Sequence, residues 1–342
     1  MNVSMTPASL VRAFGEGRIV GPTGPLPARS ALLTPRSLLL MTANTVLKLP
    51  RPVRGGGVDR TTRTLRLYGT KRELLLGRRA APHAYLADCG LTRAGDGYEV
   101  VDDPNLAEPT VAMWRQPEAR RLDRLALEGT LTVDTLRPAM AAIAAFHEAS
   151  PVTRRHEGVG APGRVARRWR EAVDAIDPAA EGAPIDAATL AALDEQTRAW
   201  LAEADRHLSH RVTEGRVRDL HLGLRLDHLY ATDPVTLLDP DERPETFHWS
   251  DTAEDVALLA VELDALGLSA VAAGALAVYA ELTLDRRLLE LLPIFARLVA
   301  LRRAGDLWRD AQAETGQARE HALGAARMYA DQALTQPRGP RS

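Results

Sequence analysis

Lys48 and Glu73 are residues whose types and spacing could do chemistry. Lys48 stands near the end of a predicted β-strand, in NTVLKLP, and Glu73 follows on the next predicted helix. A strand lysine paired with a glutamate on the next helix orients nucleotide phosphates during phosphoryl transfer. The alternative is a solvated lysine on the outer face of the strand. Of the 43 Lys and Arg residues, only Lys48 and Lys71 are lysines. The rarity of lysine favours the interpretation that position 48 requires a compact ammonium group, which arginine cannot supply.

The first third of the chain must supply the elements that position these two residues. Two apolar runs joined by Thr42–Asn44 are typical of a β-hairpin, and a later charged stretch with spaced leucines is typical of a helix. Gly69 is expected to interrupt that helix. The predicted elements are a helix at Pro7–Phe14, an irregular arm to residue 30, hairpin strands at Ser37–Met41 and Thr45–Leu49, a helix at Arg60–Arg79, and strands at Ala84–Cys89, Tyr98–Val101 and Thr110–Trp114.

After Pro117 the pattern becomes helical, with apolar residues at helical spacing. The predicted helices are Asp134–Ala149, Gly163–Ile176, Asp186–Leu208, Asp251–Leu266, Ser269–Leu282, Asp285–Leu301 and Arg302–Leu334. The sequence therefore predicts an α+β protein with a small antiparallel-sheet part and a larger helical part. The expected divisions are an N-terminal arm (1–30), a β-rich lobe (31–117), a helical lobe (118–334) and a frayed tail (335–342).

The composition excludes several classes of function. The 342 residues carry a formal net charge of −2, so there is no basic excess for binding nucleic acid. No stretch reaches the roughly 18 apolar residues that a membrane-spanning helix needs. The single cysteine, Cys89, excludes an intramolecular disulfide and fits a cytoplasmic location.

Three segments, in the same order, resemble the aminoglycoside phosphotransferase-like family of protein-kinase-like proteins. They are SLLLMTANTVLKLPRPV (37–53), KRELLLGRRAAPHAYL (71–86) and VAMWRQPEARRLDRL (111–125). The resemblance implies that Lys48 contacts phosphate and that Glu73 orients it. It also implies that the backbone around Met113, Trp114 and Gln116 receives the adenine ring. No glycine-rich phosphate loop of the kinase type is visible.

The segment VRDLHLGLRLDHLY (217–230) resembles VRDGHGDLRLEHVY, the catalytic loop of one branch of that family. Aligned without gaps, His221 matches the family histidine and Asp227 matches the glutamate. Gly223 takes the place of the catalytic aspartate, and His228 falls where the family has a metal-ligating Asn or His. Downstream, Asp239 falls on the metal-binding aspartate.

A rival alignment starts from Asp219, because DLHLG (219–223) matches another form of the same loop letter for letter. Asp219 would then be the catalytic base, and Leu224 would replace the metal-ligating asparagine. The first alignment is favoured because it also accounts for RLDHLY. The catalytic candidates are therefore Asp219, Asp227 and His221, with Asp239 and His228 as metal ligands.

The alternatives are a core or solvated histidine for His228 and a turn residue for Asp239. Asp255 is expected to hydrogen-bond the amides of the loop, and Asp251 to cap its helix.

The resemblance implies a two-lobed protein-kinase-like fold that uses ATP, or another nucleoside triphosphate, with Mg²⁺. The first hypothesis is a phosphotransferase acting on a hydroxyl of a small metabolite or a peptide, with a non-standard catalytic base. The second is a pseudokinase that binds a protein partner as the scaffold subunit of a peptide-modifying complex. Neither hypothesis involves nucleic acid or a membrane.

Overall fold

The computed structural model describes residues 5–55, 57–153, 162–241, 243 and 245–336. The chain divides into two compact units. Unit 1 comprises Met1–Glu118 and Leu238–Arg243, and unit 2 comprises Ala119–Leu237 and Pro244–Ser342. The sequence predicts a division at residue 117 but gives no sign that residues 238–243 belong with unit 1. Gly56 and most of the predicted frayed tail (337–342) lie outside the described residues.

Unit 1 is built on an eight-stranded sheet in the order β2-β1-β9-β8-β10-β5-β4-β3. Its neighbouring strands are antiparallel except for the parallel pair β1 and β9. The elements are α1 (Pro7–Gly15), β1 (Ile19–Gly21), β2 (Gly24–Pro25), β3 (Ser30–Leu33), β4 (Ser37–Met41), β5 (Thr45–Pro50), β6 (Arg54–Gly55), β7 (Val58–Asp59), α2 (Arg63–Ala80), β8 (Tyr85–Ala94), β9 (Gly97–Val101) and β10 (Glu108–Trp114).

The predicted hairpin is confirmed as β4 and β5. Thr42 Oγ1 accepts hydrogen bonds from the amides of Asn44 at 3.2 Å and Thr45 at 2.9 Å, which closes the turn. The predicted irregular arm is wrong for residues 19–25, because Ile19 is fully buried and β1 pairs with β9. The prediction that Gly69 interrupts α2 is also wrong, since the helix continues through it.

Unit 2 is mainly helical. Its elements are α3 (Leu122–Leu127), α4 (Val133–Ala149), α5 (Pro162–Asp174), α6 (Ala187–Thr213), β11 (Val217–Asp219), β12 (Leu229–Tyr230), β13 (Thr236–Leu237), α7 (Glu245–His248), β14 (Trp249–Asp251), α8 (Thr252–Ala265), α9 (Ser269–Thr283), α10 (Leu288–Ala311) and α11 (Gly316–Thr335). Strand β11 pairs with β14, and β12 pairs with β13. Every residue of α8 from Thr252 to Leu263 is buried, so this helix forms the centre of the unit.

The predicted helix break at residues 301–302 is wrong, because α10 continues to Ala311. Gly305 lies inside the helix, where a Cβ atom would come 3.3 Å from Ile176 Cγ1. The glycine therefore permits close packing against residue 176 and does not end the helix. Within the described ranges, no helix is long and apolar enough to span a membrane.

Candidate active site

Lys48 is buried in unit 1 and contacts two carboxylates. Strand β5 places it between Leu39 of β4 and Val111 of β10. Its Nζ lies 3.0 Å from Glu73 Oε2, and the exposed fractions of the two side chains are 8% and 4%. Lys48 Nζ also forms an ion pair with Asp239 Oδ1. The burial rules out the solvated alternative for Lys48, because a buried ammonium group requires charged or hydrogen-bonding partners.

Asp239 follows β13 and belongs to unit 1, where the preceding residue, Leu238, packs against a cluster that includes Tyr85 and Met113. The φ angle of Asp239 is +59°, a left-handed conformation that costs a non-glycine residue on the order of 1 kcal/mol. Its amide donates a hydrogen bond to Tyr85 Oη at 2.9 Å. The carboxylate is 40% exposed and supplies the oxygen ligand that Mg²⁺ prefers, so it fits the predicted metal role.

The segment predicted to receive adenine ends strand β10. Met113 is buried opposite Val46, whereas Trp114 is 46% exposed. The amide of Trp114 donates to the Ala84 carbonyl at 2.8 Å, and its carbonyl accepts from Gln116 Nε2 at 3.2 Å. Because the Trp114 amide already has a protein acceptor, an adenine ring would have to be recognised through other backbone groups of the segment.

Asp255 of α8 stabilises the start of the loop 220–228 in unit 2, which confirms the role predicted for it. Its Oδ2 accepts a hydrogen bond from the His221 amide at 3.2 Å and lies 3.2 Å from His147 Nε2. On its other side, His147 Nδ1 lies 2.6 Å from Tyr279 Oη. His147, His221, Asp255 and Tyr279 are all buried, so the loop begins on a polar network inside the unit.

Glu262 stabilises the end of the same loop, a role that sequence reasoning missed. It lies seven residues after Asp255, two turns along α8 and therefore on the same face of the helix. Its carboxylate accepts from the Leu226 amide at 2.7 Å, from Arg225 Nε at 3.1 Å and from Tyr329 Oη at 2.6 Å. The spacing of two acidic residues on one buried helix face is the signal that could have revealed it.

Within the loop, positions 223 and 228 lie next to each other. His228 Nδ1 is 2.9 Å from the Gly223 carbonyl oxygen. Because a carbonyl only accepts, Nδ1 carries the proton and the lone pair of a neutral ring is on Nε2, the arrangement typical of a metal-ligating histidine. The two positions are those that the first alignment assigns to the catalytic aspartate and the metal ligand.

The two remaining catalytic candidates have different surroundings. Asp219 is 3% exposed on β11, and its amide donates to the Pro151 carbonyl at 3.0 Å. The Asp227 side chain is 36% exposed, with Oδ2 2.8 Å from Arg225 Nη2 and Oδ1 3.6 Å from His228 Nε2. An acceptor molecule from solvent can reach Asp227 more easily than Asp219.

Asp251 caps α8, as predicted, because its Oδ1 accepts from the Ala253 amide at 2.8 Å.

Among the residues that the structure describes, no group of three or more His, Cys, Asp or Glu side chains is arranged to bind a metal ion. Mg²⁺ in nucleotide sites needs no such group, because it commonly binds through one or two carboxylates and the substrate phosphates.

Replacing Asp255 with alanine is expected to lower the free energy of unfolding by about 1–3 kcal/mol, because the buried His221 amide loses its acceptor. Urea denaturation followed by circular dichroism measures the change. Asp264→Ala, a substitution at a less buried position of the same helix, is the control and should change stability by less than about 0.5 kcal/mol. Equal stability losses in the two variants would contradict the role assigned to Asp255.

The chain has distant sequence relatives among known proteins. No family profile matches the chain. Uncharacterised proteins of Mycobacterium tuberculosis and Mycobacterium bovis are each 25% identical to it over 235 residues, which is 68% of this chain and 45% of each relative. The chain therefore spans less than half the length of these curated relatives.

Solved structures align over most of the chain. A choline/ethanolamine kinase family protein from Mesorhizobium loti has a TM-score of 0.53 at 13% identity, covering 92% of this chain and 93% of its own. Plasmodium vivax ethanolamine kinase has a TM-score of 0.52 at 8% identity, covering 88% and 81%. The GDP complex of aminoglycoside 2′-phosphotransferase-IIIa has a TM-score of 0.50 at 14% identity, covering 90% and 93%. The chain thus has the protein-kinase-like fold of aminoglycoside phosphotransferases and choline/ethanolamine kinases, as the sequence predicted.

Proposed function

We propose that this chain binds a magnesium–nucleoside triphosphate and transfers its terminal phosphoryl group to a hydroxyl of a small metabolite or a peptide. The observation that carries the proposal is the buried contact of Lys48 with Glu73 and Asp239. These three side chains together carry one positive and two negative charges. The net negative charge favours binding of a divalent cation beside the lysine, and the cation can in turn bind phosphate oxygens.

Each residue has a role that follows from its surroundings. The Lys48 ammonium would contact phosphate oxygens, and Glu73 would keep it oriented because the pair is buried. The half-exposed Asp239 carboxylate would bind Mg²⁺, and the resemblance implies a metal-binding role for His228 as well. Bound Mg²⁺ supplies neutralisation of the charge that develops on the transferred phosphoryl group. ATP is the nucleotide inferred for this chain, but guanine nucleotides belong in the test because the similar aminoglycoside phosphotransferase binds GDP.

The acceptor hydroxyl must lose a proton, and the first alignment leaves no carboxylate at Gly223 to receive it. Asp227, in the same loop and partly exposed, is the carboxylate proposed to accept it. General acid–base catalysis contributes roughly 10²–10⁴-fold in rate, so an imperfectly placed base predicts slow transfer.

A pseudokinase is the second candidate. It is favoured by the glycine at position 223 and by the burial of Asp219, the base of the rival alignment. In this form the chain would bind a peptide or a protein partner as the scaffold subunit of a peptide-modifying complex.

A gain-of-function substitution separates the two candidates. Gly223 does not have a positive φ, so aspartate does not strain the backbone there. Gly223→Asp is expected to raise nucleotide turnover by roughly 10²-fold if position 223 is where the base belongs. The measurement is phosphate release and product formation from ATP and GTP, each with and without Mg²⁺. Asp227→Asn, introduced into the otherwise wild-type chain, should lower nucleotide turnover relative to wild type.

The results of this experiment distinguish the phosphotransferase from the pseudokinase. Binding of nucleotide without turnover in either the wild type or Gly223→Asp would support the pseudokinase. Absence of nucleotide binding with and without Mg²⁺ would exclude the phosphotransferase.

A further inference from the structure

Tyr85 is a buried phenol in unit 1 that the proposed chemistry does not use directly. It begins strand β8, is 2% exposed and receives the hydrogen bond of the Asp239 amide at 2.9 Å. Asp239 is one of three non-glycine residues with a positive φ among those described. A backbone in this conformation persists only where its surroundings stabilise it. The Tyr85 hydroxyl is therefore placed to stabilise the backbone of the proposed metal ligand.

Gly77 allows Tyr85 to reach this place. A Cβ atom at Gly77 would lie 2.3 Å from Tyr85 Cζ and 2.4 Å from Cε2, so the ring packs directly on the backbone of α2. Gly77 is four residues after Glu73, which puts both on the same face of the helix. That face contacts Lys48 through Glu73 and the Tyr85 ring through Gly77.

We infer that Tyr85 is a positioning residue for Asp239, and that Gly77 is the small residue that makes the position possible. One face of α2 thereby sets two groups of the proposed site: Glu73 orients Lys48, and Tyr85, packed on Gly77, fixes the backbone that carries the Asp239 carboxylate. The expected effect on Mg²⁺ binding rests on the proposed function. The hydrogen bond between the Asp239 amide and Tyr85 does not depend on it.

The protonation state of Tyr85 supports this role. Burial, together with the nearby Glu73 carboxylate, raises the pKa of the Tyr85 phenol well above its usual value. The group therefore remains a neutral phenol across the physiological range of pH. Its oxygen accepts the Asp239 N–H without placing another negative charge beside Glu73 and Asp239.

Amide hydrogen exchange without any ligand tests the contact itself. Tyr85→Phe keeps the ring and removes the acceptor, so the Asp239 amide is expected to exchange roughly fivefold faster, the loss that one ordinary hydrogen bond corresponds to. Tyr98→Phe is the matched control, because it removes another buried hydroxyl, bonded to Ser9 Oγ at 2.9 Å, in the same unit. Equal exchange at Asp239 in Tyr85→Phe and wild type would overturn the inference.

Magnesium dependence is the second readout. Tyr85→Phe is expected to raise the Mg²⁺ concentration for half-maximal nucleotide binding roughly fivefold and to leave binding in EDTA unchanged. In an Asp239→Asn background the same substitution should have no further effect on magnesium dependence. Gly77→Ala, which pushes the ring away from α2, should shift the magnesium dependence in the same direction as Tyr85→Phe.

Failure of this inference is distinguishable from failure of the proposed function. A wild-type chain that binds no nucleotide would overturn the function, while hydrogen exchange would still decide the contact. Normal magnesium dependence in both Tyr85→Phe and Gly77→Ala, with nucleotide bound, would overturn the positioning role and leave the function standing. A change in hydrogen exchange at Asp239 or in magnesium dependence that also appears in Tyr98→Phe would indicate a general loss of stability. It would likewise overturn the positioning role of Tyr85.

Discussion

Replacing Arg211 with methionine is expected to lower the free energy of unfolding by about 3–5 kcal/mol, because it removes the buried cation that pairs with two buried carboxylates. The Arg211 side chain is fully buried near the end of α6. It donates to Asp251 at 2.5 and 2.6 Å and to Asp285 at 2.8 and 2.9 Å. Urea denaturation, with the linear extrapolation of the free energy, measures the effect.

Arg198→Met is the matched control, since Arg198 lies on the same helix and also contacts an aspartate. Its ion pair with Asp194, at 3.0 Å, is an i,i+4 pair in which the arginine is 61% exposed. Exposed pairs of this kind contribute about 0.3–0.5 kcal/mol, so the control should change little. Comparable losses in the two variants would show that the Arg211 network does not stabilise unit 2 in the way the contacts indicate.

The Arg211 network also stabilises the element that carries the loop 220–228. Asp251 both pairs with Arg211 and caps α8, the helix from which Asp255 and Glu262 hydrogen-bond the loop. Loss of Arg211 is therefore expected to affect the loop through α8. The sequence predicted the cap, because an aspartate before an apolar helix is a common N-terminal signal. It could not predict that the same carboxylate binds a buried arginine 40 residues away.

Local patterns predicted α1, α2, the β4–β5 hairpin and β8–β10 of unit 1, but they missed β1–β3, β6 and β7. The β4–β5 hairpin, α2 and the strands that follow are short-range features, set by alternation, spacing and turn residues. The first strand was missed because Ile19 is buried by pairing with a strand almost 80 residues later, which no local pattern shows. The predicted helix break at residues 301–302 was wrong, because α10 continues to Ala311 and packs against residue 176 at Gly305.

Beyond the Lys48–Glu73 pair, the candidate site was predictable only where a resemblance supplied long-range information. Spacing alone could not show that Lys48 contacts Asp239, which is 191 residues away along the chain. Tyr85 and Glu262 were missed for the same reason, since each acts on a backbone amide that is far away in sequence. Asp255 was found because its place in the segment after Asp239 matched the resemblance without a gap.

Replacing Lys48 with methionine is expected to lower magnesium-dependent nucleotide turnover by roughly 10²–10³, the effect of removing one charged group that stabilises the transition state. Methionine keeps the apolar stem that packs in the sheet and removes only the ammonium group. Glu73 and Asp239 then lose a shared cation, so nucleotide binding should weaken as well. Initial rates of phosphoryl transfer and equilibrium binding of Mg–ATP measure the two effects.

Lys71→Met is the natural control, because Lys71 is the other lysine of the chain and lies on α2 two residues before Glu73. It is exposed, and its Nζ lies 3.3 Å from Asn105 Oδ1. A solvated lysine contributes little, so binding and turnover in Lys71→Met should stay within about twofold of wild type. Unchanged binding in Lys48→Met, with the variant folded by circular dichroism, would mean that the buried ammonium group stabilises unit 1 and has no part in binding phosphate.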